Sequence, residues 1–387
     1  FPEIKFGGQY VRNIEQAKML FPFTVDPDNG YLMITDQLQP ISLGLANNYQ
    51  GVITAQMPLY QGAIYAGIRG ARILNKISEE SIVQTRANVI SGIKKAYYNM
   101  LIAKEQYVLL DQSIKRGEQA LHDVRLLYKQ GLASDLDTLR AFVAVENIKP
   151  SIIKAESGIA VSESVLKNAM GIALSEKIEL ADSLSYYPQD DYDFESLYEE
   201  AELRRPELKL LDLQLQSDDE YINYEFSQHM PSLAAFGQYK VETESEKFKV
   251  SDLDWRTSSY VGLSLSVPIF SGLRTYSRVQ QAKIEKKKTA VQIEDAREQI
   301  STEVKVNIYN YIETKKRIES QSKTVEAAER SYNMTRSRWL KGVSRQSELF
   351  DAELSLTQAK TNYLQAVYDY LTARVELEKA IGRTGRI

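Results

Sequence analysis

Glu348 and Asp351 stand three residues apart, a spacing that puts both carboxylates on one face of any helix that carries them. The chemistry open to such a pair is electrostatic, the attraction of cations. A third acid, Asp137, occupies the matching place in a second, similar stretch. No bond-making machinery accompanies them. The two histidines, His122 and His229, are isolated and read as surface or packing residues, and there is no His-Glu-x-x-His, no phosphate-cradling glycine loop and no nucleophile elbow. Cysteine is absent, which removes disulfides and thiolate metal sites. Neither an enzyme nor a cofactor is expected.

The acids belong to text that the chain contains twice. Gly342 to Ala352, Gly-Val-Ser-Arg-Gln-Ser-Glu-Leu-Phe-Asp-Ala, has a twin 211 positions earlier, Gly131 to Ala141, Gly-Leu-Ala-Ser-Asp-Leu-Asp-Thr-Leu-Arg-Ala. The glycine opening each copy supplies the positive φ that ends a helix, and a small polar residue close behind can cap the next one. Both copies read as tips of helical hairpins.

Long helices must carry those tips. From Ala63 to Gln130 and from Leu273 to Lys341 there is no proline, and either run could form a helix of about 100 Å. Apolar residues fall in a 3,4 spacing: Ile90, Ile93, Tyr97, Met100, then Tyr107, Leu110, Ile114 and Leu121, Val124, Tyr128. Tyr97 and Tyr98 accordingly read as interhelix packing. Return helices run from about Ser134 to Met170 and Arg345 to Ile381, ending at Gly171 and Gly382. A kink is expected at Pro150, where the second copy has Thr361. Glu176 to Asp193 is a polar connector, followed by Phe194 to Arg205 and then Pro206, placed to open a helix reaching about Ser227. Nothing equivalent precedes Phe1, so an N-terminal helix is expected to be missing from a start that is processed, trimmed or unresolved.

Strands precede each hairpin. Phe1 to Arg12 resembles Met230 to Val241 through a shared proline and Gly-Gln-Tyr, and both alternate with a period of two. In Tyr260 to Phe270, Val261, Leu263, Leu265, Val267 and Ile269 share one face, with Gly262, Ser264 and Ser266 opposite. In Gly51 to Tyr60, Ile53, Ala55, Met57 and Leu59 oppose Thr54 and Gln56. A greasy face against a small polar one suits strands of about 9–11 residues in a transmembrane barrel. A soluble hairpin with one buried face has the same alternation. The intervening stretches, Asn13 to Gln50 and Glu242 to Ser259, read as exposed loops, the first folded over through Phe21, Phe23, Tyr31 and Leu32. Strand-to-helix joints are expected at Pro58 to Gly62 and Pro268 to Gly272, where proline ends ladder pairing and glycine lets the chain change direction.

With 43% hydrophobic residues, the 387-residue chain has ample material for a core. Its 48 basic and 52 acidic residues are dispersed along helices, leaving no nucleic-acid footprint. No run of 18 apolar residues offers a transmembrane helix, so any crossing must be by strands. Four strands cannot close a barrel, and open edges are not tolerated in hydrocarbon, which requires oligomerisation. Three copies give twelve strands around a lumen.

In this order and spacing, the duplicated strand-strand-hairpin unit, Pro268-Ile269-Phe270-Ser271-Gly272 with its twin, Arg205-Pro206-Glu207-Leu208 and the glycine tips resemble the TolC-like outer-membrane efflux protein family over essentially the whole chain. The resemblance implies a membrane α+β fold: a homotrimeric duct with four strands per chain in a 12-stranded outer-membrane barrel, and coiled-coil hairpins forming a periplasmic α-barrel. The segments would be 1–62 and 231–272, the strand pairs embedded in lipid; 63–173 and 273–387, the hairpins; and 174–230, a connector with equatorial helices. The internal repeat is 51–171 with 261–382.

The implied function is the exit duct of a tripartite efflux or secretion system in the outer membrane of a Gram-negative-type cell, fed by a periplasmic adaptor and an inner-membrane transporter. Tip residues Gly131, Leu132, Ala133, Ser134, Gly342, Val343 and Ser344 would dock the adaptor, although the glycines also serve as caps. The family often has an arginine where Ser344 stands. Glu348 and Asp351, joined by Asp137, would ring the periplasmic aperture as gate acids and be blocked by cations. Arg140 stands where Asp351 has its acid, so the tips should dock alike and gate unequally. A periplasmic coiled-coil adaptor or scaffold is the alternative, and it should carry lipoyl-like and β-barrel segments around one hairpin. A helical pore-forming toxin would need an apolar tongue that the chain lacks.

Overall fold

The computed structural model describes residues 2–25, 32–187, 193–248 and 254–384. In chain order the elements are β1 (Glu3–Arg12), β2 (Ala17–Val25), β3 (Leu32–Leu43), β4 (Asn47–Tyr60), α1 (Gly62–Lys129), α2 (Asp135–Met170), α3 (Phe194–Arg204), α4 (Pro206–Ser227), β5 (Ser232–Ser245), β6 (Arg256–Ser266), α5 (Arg274–Leu340) and α6 (Gln346–Ala380). They divide into two compact units, Phe1–Arg72 with Gln216–Lys286 and Ile73–Leu215 with Lys287–Ile387. Among the described residues, no helix is long and apolar enough to cross a membrane.

The first unit is built on an antiparallel sheet in the order β1-β4-β5-β6. Directly opposed residues of antiparallel strands share a face. The register therefore collects Phe6, Ile53 and Tyr239 on one side, together with Ile4, Met57, Val261, Leu263 and Leu265. Lys5, Thr54, Gln238, Lys240, Ser258 and Ser264 lie on the other. The apolar side is bare: Phe6 is 77% exposed, Val261 90% and Leu263 68%. Among the described residues of one chain, nothing covers that face.

Two expectations need correction. The stretch Asn13 to Gln50 is not an open loop, because β2 and β3 form a separate two-stranded sheet within it. Tyr31 and the side chains of Phe21, Phe23 and Leu32 lie outside the described residues. Pro58 does not end the ladder either. It stays in register opposite Ala234, and a bulge follows that brings Tyr60 opposite Leu233. The extra residue, Leu59, turns Tyr60 onto the apolar face, which simple alternation would deny it.

The second unit holds all but the first turns of α1 (68 residues) and α5 (67), which carry the outgoing limbs of the two hairpins, and α2 (36) and α6 (35), which return. The α2 helix runs unbroken through Pro150. The principal core joins Val304, Ile308, Tyr311 and Ile318 of α5 to Val367, Tyr370 and Leu377 of α6 and to Leu197 and Ala201 of α3. The connector lies across the helices as a strap. Leu184 and Tyr186 pack on that core, Ile178 and Leu180 on Ala96, Met100 and Leu166, and Tyr97 donates a 2.8 Å hydrogen bond to Asp182.

Arg205 explains the Arg-Pro-Glu-Leu motif. It follows α3, is buried, pairs with Glu207 (3.0 Å) and Glu303 (2.9 Å), and donates to the carbonyl of Ala380 at the end of α6. A cation there satisfies an otherwise unpaired terminal carbonyl. Gly382, just beyond, has φ +72, and a Cβ on it would come within 2.9 Å of the Arg204 carbonyl carbon.

Candidate functional site: the twin hairpin tips

Each tip begins with the same backbone device. Gly131 (φ +74) donates to Tyr128 O and Leu132 to Leu127 O, both at 2.9 Å. Gly342 (φ +71) donates to Trp339 O at 2.8 Å and Val343 to Arg338 O at 3.0 Å. This pair of hydrogen bonds around a left-handed glycine satisfies carbonyls in the last turns of α1 and α5. It leaves Leu132 and Val343 projecting, 72% and 63% exposed.

The tips then diverge. Ser134 caps α2 in a full capping box: its hydroxyl accepts from Asp137 N, and the Asp137 carboxylate accepts from Ser134 N (3.1 Å) and Oγ (2.6 Å). Those hydrogen bonds, with a lesser contribution from Arg140, hold the Asp137 carboxyl below its usual pKa. A lowered value means that the cap stabilises above about pH 4, near the unfolded pKa, and fades as pH falls through the folded one. Asp137 is thus committed to its own turn.

At the second tip the cap position is Arg345, which makes no side-chain cap bond. Ser344, one residue earlier, instead donates its hydroxyl to Glu348. Small polar capping therefore holds for the first copy only. Glu348 and Asp351 are exposed on α6, and the Asp351 carboxylate has no partner among the described residues.

The two turns are joined beneath the surface. Ala133 packs on a cluster of Ala120 and Val124 of α1 with Trp339 of α5 and Leu349 of α6. Above this lies a polar tie that the sequence did not announce. Glu353, buried on α6, accepts from Arg116 Nε (3.0 and 2.9 Å), Arg116 Nη2 (2.8 Å) and Ser113 Oγ (2.9 Å) of α1. The guanidinium also lies 5.9 Å from the centroid of the Tyr332 ring. The only sequence signal was an acid interrupting the apolar seam Leu349, Ala352, Leu356, Ala359. At the repeat offset of 211, Phe142 and Ala327 stand for Glu353 and Arg116, so duplication did not copy the tie.

The sequence model of the outer membrane efflux protein family matches residues 1–172 and 197–383. The chain belongs to that family. Outer membrane protein TolC of Vibrio cholerae is 22% identical over 333 residues, 85% of this chain and 76% of that one. The alkaline protease secretion protein AprF of Pseudomonas aeruginosa is 22% identical over 335 residues, 86% and 69% of the two chains. Among solved structures, the open state of the Neisseria gonorrhoeae MtrE outer membrane channel superposes with a TM-score of 0.72 at 18% identity, covering 100% of this chain and 82% of that one. The Campylobacter jejuni CmeC outer membrane channel gives 0.71 at 17%, covering 99% and 78%.

This efflux-family chain also makes its two strand-to-helix joints differently. Gly62 is the first residue of α1, where a Cβ would lie 2.9 Å from Ser227 Cβ, so it permits a close approach. Gly272 has φ +62, and Leu273 after it φ +63, so the second joint turns through two consecutive left-handed residues. Pro268 stands just beyond the end of β6, as a ladder terminator should.

Proposed function

We propose that the protein is the outer-membrane exit duct of a tripartite efflux or secretion system, passing solutes from a periplasmic adaptor and an inner-membrane transporter to the outside. One observation carries this reading: a sheet with a bare apolar face, a polar reverse and unpaired outer edges on β1 and β6. Such edges are untenable in hydrocarbon, so β6 of one copy closes on β1 of the next, and three copies supply twelve strands around a wet lumen. Aromatic residues bracket the apolar band. Tyr10, Tyr49 and Phe248 cluster at one end, and Tyr60 sits at the other. From Tyr49 to Tyr60 the strand rises about 36 Å, which at a tilt of about 45° spans about 25 Å, the height of a lipid-facing band.

Kinship with a TolC and a protease secretion protein supports the adaptor and transporter partnership. In this reading Gly131 to Ser134 and Gly342 to Ser344 dock the adaptor. Glu348 and Asp351 of three copies set six carboxylates at the periplasmic aperture, and Asp137 serves mainly its cap. A coiled-coil scaffold would leave the bare sheet face without a purpose. Light scattering on detergent-purified protein tests the assembly. The expected mass is three times the 44.0 kDa chain, stable only with detergent present. A detergent-free monomer would overturn the reading.

A further inference from the structure

Between the end of β6 and the first turns of α5 lies a cavity of about 260 Å³. At about 30 Å³ per water, that is room for a small polyatomic ion with several waters. Its walls present five hydroxyls, from Ser227, Ser232, Ser266, Ser271 and Thr275, of which that of Ser227 is spent on the Tyr224 carbonyl, and two guanidiniums, from Arg274 and Arg278. Ser232 and Ser266 are directly opposed on the polar face of the sheet, and buried Thr275 touches Ser271 at 3.2 Å. No carboxylate lines the space. Glu225 of α4 lies outside the lining; it is buried, with one oxygen bonded by Tyr221 and the other without a hydrogen-bond partner among the described residues, and Arg278 acts on the same Tyr221 hydroxyl.

Arg274 and Arg278 line the cavity while remaining exposed to solvent. Some cations of this unit meet acids, as Arg69 does Glu220 at 2.8 Å and Lys286 does Asp219 at 2.6 Å, whereas Arg72 and Lys283, like these two, meet none among the described residues. Among the described residues, Arg274 and Arg278 form no ion pair. They stand four apart in the first turns of α5, where they repel each other and the positive end of the helix, and the first turn holds no acid to offset them. Guanidinium forks and hydroxyls around one space are donors that match an acceptor-only group.

We propose that this cavity binds a compact oxyanion, a phosphate group or one of the same charge and shape, held between Arg274 and Arg278 and oriented by the hydroxyls of Ser271 and Thr275. The site does not depend on three copies closing a barrel, so its test and that of the duct are separate. A solute in the lumen and a lipid headgroup could each supply the anion.

Calorimetric titration of inorganic phosphate into the full chain, in non-ionic detergent free of phospholipid, should show saturable binding that weakens with added salt. R274Q/R278Q should bind at least about tenfold more weakly, the loss expected on removing hydrogen bonds from charged donors. The single variants should fall between, which keeps a readout if the double variant folds poorly. R72Q/K283Q removes the same charge from exposed side chains outside the cavity and should bind as the parent does. Repeating the titration in phosphatidylglycerol nanodiscs separates the sources: unchanged affinity assigns the site to a soluble anion, and competition assigns it to a headgroup. Absence of saturable binding by the parent protein at millimolar phosphate, or equal affinity in R274Q/R278Q, overturns the proposal.

Discussion

Three acids within two turns of α6 meet different fates. Glu353 is buried and held by Arg116 and Ser113, whereas Glu348 and Asp351 face outward. Removing Glu353 strands a largely buried guanidinium. E353A should therefore cost about 2–4 kcal/mol, somewhat below a fully buried pair because Arg116 keeps some solvent, and E353Q clearly less, read from the unfolding midpoint. E348A/D351A should leave that midpoint within about 0.5 kcal/mol and weaken divalent-cation block of single-channel conductance. Unchanged block would remove the gate role from those two residues. The exposed acids were legible because their spacing is local. The tie was not, because its partners lie more than two hundred residues apart and α6 shows only one charge within an apolar seam.

At the level of elements, the left-handed glycines were readable, since a glycine closing a long apolar periodicity has few other uses. Their costs should differ. A Cβ on Gly131 or Gly342 meets nothing within 4 Å, so G131A and G342A should lose only the backbone preference, about 1–2 kcal/mol. G382A adds a clash with the backbone of Arg204 and should lose more. Equal shifts of the unfolding midpoint in all three variants would show that the Arg204 contact is soft. The β2–β3 hairpin was missed because the Asp, Asn, Pro and Gly content of Asn13 to Gln50 suits an exposed loop, yet its prolines are compatible with strands. In a two-stranded sheet every strand is an edge, and Pro22 falls at the register shift between Phe21 and Phe23, where a missing N–H costs nothing. The faces of β4 and β6 could be read from alternation, whereas the meeting of β4 with β5 could not, because period two says nothing about neighbours.

For the whole molecule, the separation of the sheet's two faces makes a directional prediction. Leu263 lies on the apolar face and Ser264 beside it on the polar one. L263R should cost about 2–4 kcal/mol of folding in lipid vesicles if placed near the bilayer midplane, and S264R should be tolerated and alter conductance instead. Denaturant titration in vesicles and planar-bilayer recording read the two outcomes. Similar tolerance of both would place the apolar face away from lipid.

The seam between β4 and β5 pairs Asn47 with Ser245 and Gln56 with Phe236, so a strand from each end of the first hairpin's sequence must wait for the other. Contacts within α1 and α2 are closer in sequence and can form first, while pairing across so long a loop is slow. During synthesis at about 5–20 residues per second, β1 and β4 stand without their central neighbour for roughly 10–35 s. A newly made chain therefore carries a greasy, incompletely paired hairpin well before it can complete its sheet. Its safe delivery depends on something shielding the first two strands of that sheet over this interval, and a chain stopped after Met170 would have no partner to complete them at all.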